Sequence, residues 1–318
     1  MEYEKMICDL EVGDQIEGFY VLKNPQGRVA TSGKPYLAAA LSDRSGMIEA
    51  KCWDYAGPIG AADDGKVIKI RGTVSEFRGA LQLTIERLRL AQEEDRFDRS
   101  RLVPVAPIDI DETFAAVQDI IASIEDEDYR KICVYMMEKK VDSFRTLPAA
   151  KSMHHAFLGG LLMHTNNMLS LADSIARIYP ETIDRSLLLA GTLLHDIAKA
   201  EEFTCSALGL VTDYSVKGQL LGHLVMGAQE VAKIAAELDI VEEKSVLLQH
   251  MLLSHHGQPE FGAAVLPQCA ESELLSLIDM IDSRMEIYAE ALQTLPPGSF
   301  SERIYALEKK IYKPSEME

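Results

Sequence analysis

With 318 residues, of which 47% are hydrophobic and 26% charged, the chain can bury the cores of about two globular domains. Its polar, acidic start and its short apolar runs, such as 187–194, predict neither a secretory signal nor a membrane span. The five scattered cysteines include no C-x-x-C pair, which argues against a disulfide framework and a thiolate zinc site and favours a cytoplasmic protein.

The formal net charge of −18 is unfavourable for binding nucleic acid, because phosphate contacts normally need a basic surface. The charge is unevenly distributed. Residues 1–92 contain 12 basic and 13 acidic residues, whereas the rest of the chain contains 20 and 37. If the protein binds a polyanion, the first 92 residues and a metal site must therefore provide the binding.

The first 92 residues have the pattern of short β-strands. Alternating, β-branched and aromatic residues predict strands at 14–23, 36–43, 46–53, 66–74 and 81–90. Turn residues separate them at 24–27, 43–46 and 77–79. Five short strands favour a small closed barrel, and we expect an OB-fold that binds nucleic acid in residues 1–92; another small barrel or a sandwich is the alternative.

A charged stretch at 93–101 follows, and then a short connector with Pro104 and Pro107. Together they predict a linker at 93–110. From residue 111 the apolar period becomes 3.6, which predicts helices at 112–140, 156–179, 184–200, 219–238, 242–256, 271–293 and 301–311. The predicted architecture is multidomain, α and β, with an N-terminal five-stranded OB-fold β-barrel followed by an all-helical domain at 111–318.

All eight histidines lie between positions 154 and 256 of the predicted helical domain. Helices that pack on one another can bring such positions together. Neutral imidazole is the commonest metal ligand in proteins, and carboxylates complete such sites.

The clearest single feature is the apolar run 187–194, which leads directly into His195 and Asp196. Burying such a pair costs several kcal/mol unless a partner compensates, and a divalent cation bound by Asp196 would do so. Lys199 lies one turn beyond His195, where it could meet a phosphate oxygen. For this segment alone, a solvent-facing helix end is an equal alternative.

Three further apolar segments carry the same residue types, at His164, at His255 with His256, and at Asp279 with Asp282. A single buried histidine is more often a packed core residue than a ligand. Four apolar helices that each carry a histidine or an aspartate are difficult to explain by packing. Together they predict a metal site.

The order His164, His195-Asp196, Asp279 resembles the H…HD…D signature of the HD superfamily of metal-dependent phosphohydrolases. More narrowly, nearly the whole chain is similar to the YhaM family of bacterial 3′-5′ exoribonucleases, which join an OB-type domain to an HD domain. The similarity is carried by residues 33–37, 46–54, 154–160, 195–199, 253–257, 278–282 and 311–314.

The resemblance implies two metal ions bridged by Asp196. One would be bound by His164, His195, Asp196 and Asp279, and the other by His223 with one or both of His255 and His256. The resemblance favours Mn²⁺, although Fe²⁺, Co²⁺ or Zn²⁺ also suit such ligands. Two adjacent ions can activate water for in-line attack on a phosphodiester.

Other residues receive supporting roles in this hypothesis. Lys199 would neutralise a phosphate oxygen as negative charge builds. His154 or His155 would protonate the leaving oxygen or hold the phosphate, with helix capping or core packing as an equal alternative. Asp282 is expected in a supporting or surface position rather than as a ligand.

The barrel would hold single-stranded RNA or DNA as the substrate. Tyr36, Trp53 and Phe77 are the candidate stacking surfaces, with a place in the barrel core as the alternative for Trp53 and Phe77. The candidate phosphate contacts are Lys34, Lys51, Arg71 and Arg78. Because stacking contributes about 1–3 kcal/mol per base, such binding does not need a strongly basic protein.

Two departures from the family pattern concern substrate detail, because neither affects a proposed ligand. Phe261 stands where an acidic-Trp-Gly stretch is expected at 260–262, and Met163 precedes His164. The residues also suit a hydrolase of small phosphorylated nucleotides or a nucleic-acid-binding regulatory module with an inert site. A fused barrel favours a polymer substrate, and the complete ligand set favours activity. Whether the chain forms a homo-oligomer is left open.

Overall fold

A computed structural model of the protein describes residues 2–92, 94–151, 155–206 and 208–315, with backbone alone for Glu2 and Tyr3. The chain forms two compact units. One consists of Met1–Val105 with Ser206–Leu208, and the other of Ala106–Cys205 with Gly209–Glu318.

The first unit is a closed β-barrel. Its strands are Glu2–Tyr3 (β1), Gln15–Val29 (β2), Pro35–Asp43 (β3), Gly46–Trp53 (β4), Val67–Phe77 (β5) and Ala80–Leu90 (β6). The order β2-β3-β4-β6-β5 closes through pairing of β5 with β2, and β1 adds a short parallel strand on β2. Alternate residues, including Leu37, Leu41, Ile68 and Ile70, fill the interior. The predicted five-stranded OB-fold is confirmed.

The turn predicted at 24–27 is wrong, because β2 continues through it. The pairing of β2 with β3 shifts between Lys23 and Gln26, and Asn24 has φ +49°. These are the properties of a β-bulge, which also accommodates Pro25 because a bulge leaves one backbone N–H unpaired. The turns at 43–46 and 77–79 are present: the Asp43 carboxylate accepts from the N–H of Ser45, and Arg78 and Gly79 both have positive φ.

A short helix, Arg99–Leu102 (α1), follows the barrel within the segment that was expected to be a linker. The Asp98 carboxylate begins it by accepting a hydrogen bond from the backbone N–H of Ser100.

The described part of the second unit contains eight helices. They are Ile110–Ala122 (α2), Glu127–Thr146 (α3), Gly160–Ile178 (α4), Arg185–Leu194 (α5), Lys199–Glu202 (α6), Val216–Glu237 (α7), Glu242–Ser254 (α8) and Ala270–Thr294 (α9). Their apolar faces share one core, in which every residue of α5 from Ser186 to Leu194 is buried. None of the described helices is both long and apolar enough to traverse a lipid bilayer.

The structure corrects two helix predictions. The segment 112–140 is two helices, because Asp126 caps α3 by accepting from the N–H groups of Asp128 and Tyr129. The segment 301–311 is not an α-helix. It contains a 3₁₀ turn, Tyr305–Leu307, closed by a bridge between Ile304 and Lys309, with Glu308 in the left-handed region at φ +56°.

Two small hairpins accompany the helices. Phe203–Cys205 (β7) pairs with Val211–Tyr214 (β8), and Ser299–Phe300 (β9) pairs with Tyr312–Lys313 (β10). The first hairpin directly follows α6, the four-residue helix that carries Lys199.

Candidate metal and catalytic site

The helical unit brings together all seven side chains proposed as metal ligands. They come from α4, the turn after α5, α7, the turn after α8, and α9: His164, His195, Asp196, His223, His255, His256 and Asp279. His256 and Asp279 are half-buried, and the other five are buried. The fully buried α5 ends at Leu194, so the fold delivers His195 and Asp196 into the interior.

Asp196 lies at the centre of this cluster. Its Oδ2 is 3.3 Å from Nε2 of His195 and 3.9 Å from Nε2 of His164. Its Oδ1 is 3.2 Å from Nε2 of His223 and 3.8 Å from Nε2 of His255. The two oxygens of one carboxylate therefore face two different pairs of histidines.

Asp279 and His256 each lie near one of these two pairs of histidines, so that the cluster consists of two groups, one at each oxygen of Asp196. Asp279 Oδ1 lies 3.4 Å from Nε2 of His164, on the Oδ2 side of Asp196. The ring of His256 lies 5.3 Å from that of His223, and His223, His255 and His256 can offer ligand atoms within 4.8 Å of one another. The structure thus brings both His255 and His256 to the second group.

Each of the four histidines nearest Asp196 bonds an oxygen through Nδ1. The acceptors are Asp282 Oδ2 at 2.7 Å for His164, Thr192 O at 2.8 Å for His195, Glu202 Oε1 at 3.0 Å for His223 and Leu252 O at 2.8 Å for His255. These oxygens can only accept, so each Nδ1 carries its proton. In the neutral ring the Nε2 lone pair is then directed at the cluster, as in a metal-binding histidine.

Several of these atoms are buried without a hydrogen-bond partner, namely Asp196 Oδ1, His223 Nε2, His255 Nε2 and His256 Nδ1. In addition, Nε2 of His164 and Nε2 of His195 lie 3.3 Å apart. Buried acceptors that face one another are costly unless a cation lies between them. The imidazole and carboxylate donors fit a divalent metal ion.

The charges of the cluster favour a cation. Burial alone would lower the pKa of His164, but the neighbouring carboxylates of Asp279 and Asp282 raise it to about 9. Burial would raise the pKa of Asp196, but the charges of Lys199 and His195 hold it well below its usual value. The carboxylates are therefore ionised near neutral pH and stabilise positive charge among the histidines.

Lys199 reaches the same carboxylate from α6. Its Nζ lies 2.6 Å from Asp196 Oδ2 and donates to the backbone oxygen of Ala149 at 2.7 Å. The ammonium group thus borders the cluster on the side of Asp196 that faces His195.

Of the two histidines proposed to act on the leaving group, His154 lies outside the described residues. His155 is buried, has φ +55°, and places Nε2 2.8 Å from Oδ2 of Asp282. Asp282 is also buried and accepts from Asn167 at 3.0 Å as well as from His164. Asp282 therefore orients His164 from behind the cluster, and His155 supports Asp282.

Glu202 was missed by the sequence reasoning. Its Oε1 accepts from both Nδ1 and the backbone N–H of His223, because Gly222, with φ +72° and ψ +159°, breaks α7 and leaves that N–H free. In the sequence, Glu202 belongs to a short charged run that resembles a solvated helix face. The buried Lys140 holds the adjacent Glu201 and also Glu230, each at 2.7 Å, which fixes α6.

On the barrel, five of the seven proposed nucleic-acid contacts lie close together. Tyr36 and Trp53 are paired across β3 and β4, with ring centroids 4.8 Å apart. Lys51 Nζ lies 5.5 Å from the Trp53 ring and 4.9 Å from the Phe77 ring, and Arg78 lies over Phe77 at 5.2 Å. Trp53 and Phe77 are 48% and 49% exposed, so neither belongs to the barrel core.

Two of the proposed phosphate contacts are already paired with carboxylates. Lys34 lies 2.9 Å from Asp54, and Arg71 lies 3.5 Å from Glu86. We therefore define the aromatic–basic surface of the barrel as Tyr36, Lys51, Trp53, Phe77 and Arg78.

Comparison with known proteins agrees with this division into two units. Residues 21–91 match the family described as OB-fold nucleic acid binding domain, and residues 161–284 match the HD domain family. The second match includes every proposed metal ligand.

Two curated relatives are similar over nearly the whole chain. The 3′-5′ exoribonuclease YhaM of Geobacillus sp. (strain WCH70) is 37% identical over 317 residues, covering 98% of this chain and 95% of the relative. The 3′-5′ exoribonuclease YhaM of Bacillus subtilis (strain 168) is 36% identical over 308 residues, covering 96% of each. The order of domains, the HD cluster and this full-length similarity show that the chain belongs to the YhaM family of 3′-5′ exoribonucleases.

Proposed function

We propose that this protein is a cytoplasmic, metal-dependent 3′-5′ exoribonuclease that hydrolyses the phosphodiester bonds of single-stranded RNA. The proposal is supported by the names of its two full-length relatives and by the HD domain match. The observation that carries it is the position of Asp196, whose two oxygens face separate groups of histidines.

The residues fit two divalent ions, for which Mn²⁺ is the first candidate. His164, His195, Asp196 and Asp279 would hold one, and Asp196, His223, His255 and His256 would hold the other. Bound ions supply Lewis acidity, which activates water as a nucleophile and offsets the charge that builds on the phosphodiester. The four Nδ1 bonds keep the imidazoles in one orientation, so the ligand set is preorganised.

The remaining side chains near the proposed ions orient the ligands or neutralise charge on the phosphate. Lys199 places a positive charge beside Asp196, where it can contact a non-bridging phosphate oxygen. Asp282 and Glu202 orient His164 and His223, respectively, by accepting a hydrogen bond from Nδ1 of each ring. Because His155 bonds Asp282, its contribution is to the orientation of His164 rather than to contact with the leaving group.

The aromatic–basic surface of the barrel would bind the strand upstream of the cleaved bond. Its exposed rings offer stacking faces, and Lys51 and Arg78 lie over these rings where they can also meet phosphates. This surface accounts for RNA binding by a chain with a net charge of −18.

A nuclease assay with a chelator control tests the proposal. A single-stranded RNA labelled at its 5′ end is incubated with manganese-loaded protein, with chelator-treated protein, and with treated protein that has been reloaded. We expect a ladder of products shortened stepwise from the 3′ end, which disappears with chelator and returns with manganese. Single-stranded DNA of the same sequence and free mononucleotides are assayed in parallel. If only the mononucleotides were hydrolysed, the exoribonuclease proposal would be wrong.

A further inference from the structure

A cleft of about 420 Å³ opens beside the metal cluster, within the helical unit. Its lining includes members of the cluster and Lys199, namely His164, Asp196, Lys199, His255, His256 and Asp279. It also includes residues to which the proposed function gives no role: Phe261, Met280, Ser283, Arg284, Ile287 and Ala306. The volume lies within the range of small-ligand pockets, about 300–1,000 Å³, and so suits one nucleotide rather than a length of strand.

Arg284 is the one charged residue in this second set of lining residues. It is half-buried on α9, and its guanidinium has no ion pair or hydrogen bond with any described residue. The other cation of the cleft, Lys199, is already bonded to Asp196 and Ala149. Residues 93–318 carry a net charge of −17, yet the guanidinium of Arg284 lines this cleft without a carboxylate partner among the described residues. It is therefore available for an incoming anion.

Phe261 supplies an apolar face at the same cleft. It ends the 3₁₀ turn Pro259–Phe261, and Gly262 follows with φ +102°, which turns the chain back beside His256. The side chain is 68% exposed and contacts no other aromatic ring among the described residues. An exposed ring next to a phosphodiesterase site is suited to stacking on a base.

We infer that this cleft is a subsite for the terminal nucleotide of the strand, in which Phe261 stacks on the base and Arg284 binds a phosphate oxygen. The two groups recognise any nucleoside monophosphate unit, because every base has a π-face and a guanidinium pairs with phosphate through two hydrogen bonds. The inference rests on the proposed function for its chemistry and adds to it the residues that hold the nucleotide being released.

Two measurements on the full-length, manganese-loaded protein test the subsite. Isothermal titration with AMP measures occupancy of the cleft without turnover, and steady-state hydrolysis of a short single-stranded RNA separates KM from kcat. Arg284→Ala and Phe261→Ala are compared with the conservative variants Arg284→Lys and Phe261→Trp. Arg177→Ala and Phe300→Ala are the controls, since they remove an exposed arginine and an exposed ring elsewhere.

We expect Arg284→Ala and Phe261→Ala each to weaken AMP binding and to raise KM by roughly tenfold, with kcat changed by less than about threefold and metal content unchanged. Phe261→Trp should bind AMP as the unmodified protein does, and Arg284→Lys should recover part of the loss. If both alanine variants matched the controls in AMP affinity and KM, the subsite would be refuted while the exoribonuclease proposal stood. If the unmodified protein bound AMP through these residues but left RNA intact, the subsite would stand and the proposed activity would fail.

Discussion

Oδ1 of Asp196 and Nε2 of His223 lie 3.2 Å apart in the buried cluster, yet neither atom has a hydrogen-bond partner. Nδ1 of His223 already bonds Glu202, so the neutral ring directs a lone pair at the carboxylate. Two acceptors at this distance repel each other unless a cation compensates. The other oxygen of Asp196, Oδ2, lies 3.3 Å from Nε2 of His195 and also accepts a hydrogen bond from Lys199.

The first prediction follows from the central position of Asp196. Replacing it by asparagine removes the negative charge that both groups of histidines face. It also turns one of the two ligand oxygens into an amide nitrogen that cannot bind a metal ion, while preserving the size of the side chain. We expect Asp196→Asn to lower RNA hydrolysis by at least about a hundredfold, because a bound ion contributes several kcal/mol to the transition state. Hydrolysis is measured with the labelled RNA, and binding by fluorescence anisotropy.

RNA binding of Asp196→Asn should stay close to that of the unmodified protein, since the barrel surface is untouched. The control is Asp142→Asn, which removes an exposed carboxylate from α3 and should change neither quantity. Hydrolysis by Asp196→Asn at the unmodified rate would exclude the proposed mechanism.

The position of this site could be predicted from the sequence because burying ionisable groups is costly. The apolar run 187–194 predicts a buried helix, and the ionisable residues His195 and Asp196 at its end therefore indicate a functional site. Glu202 could not be found in this way. Its importance depends on the break at Gly222, which frees the backbone N–H of His223, and only the folded chain shows that contact.

The second prediction is that the two groups of proposed metal ligands can be impaired one at a time. Among the seven proposed metal ligands, Glu202 bonds only His223 and Asp282 bonds only His164. Asp282 also bonds His155, which is not a proposed ligand. Loss of a group that orients a metal-binding histidine typically reduces metal affinity by about 10- to 100-fold. We therefore expect Glu202→Gln and Asp282→Asn each to weaken the binding of one of two manganese ions and to leave the binding of the other unchanged.

Metal analysis after dialysis against graded manganese concentrations measures this effect. The unmodified protein should retain two ions per chain, and each variant should retain one at manganese concentrations that saturate the unmodified protein. Glu242→Gln is the control, because Glu242 is exposed at the start of α8 and bonds no histidine among the described residues. A single ion in the unmodified protein would contradict the two-ion proposal.

The fold was predictable where turn chemistry and periodicity agreed, as in the hairpin at Arg78 and Gly79. The fold was not predictable where hydrogen bonding between strands outweighed the local preference of the residues for a turn or a helix. Asn24 and Pro25 are typical turn residues, but pairing with β3 before and after them, at 21–23 and 26–29, keeps the strand continuous and converts them into a bulge. The segment 301–311 has helical periodicity, yet the Ser301 hydroxyl and the strand pairing of β9 with β10 hold it as a hairpin.

The third prediction concerns the aromatic–basic surface. Trp53→Ala and Phe77→Ala should each weaken binding of single-stranded RNA by about 1–3 kcal/mol, because each removes a stacking face. Anisotropy titrations in an Asp196→Asn background avoid hydrolysis during the measurement. Val29→Ala, which shortens an exposed apolar side chain of the same barrel, should bind as tightly as its parent.

Trp53 is the single tryptophan of the chain, so its fluorescence gives an independent test of this surface. Stacking of a base on the ring should quench the fluorescence of the Asp196→Asn protein as RNA is added. Unchanged fluorescence at saturating RNA would place the strand elsewhere.

The last prediction concerns stability in acid. Asp126 caps α3 and lies 2.6 Å from Lys244 of α8. Burial would raise its pKa, but the bond with Lys244 and the N–H groups of α3 lower it below 3.8. A carboxyl group with a depressed pKa stabilises the fold above its unfolded pKa, and that stabilisation disappears as the pH falls through the folded pKa.

Asp126→Asn keeps an N-cap but loses the attraction to Lys244, so at pH 7 it should reduce the free energy of unfolding by up to about 1 kcal/mol, as for a partly exposed pair. The difference from the unmodified protein should shrink below about pH 4 and vanish once Asp126 is protonated. Urea unfolding followed by far-UV circular dichroism reports the helical unit. Asp109→Asn provides the matched control, because Asp109 caps α2 without a lysine partner among the described residues. A stability difference that persisted unchanged at pH 2 would show that the ion pair with Lys244 is not its source.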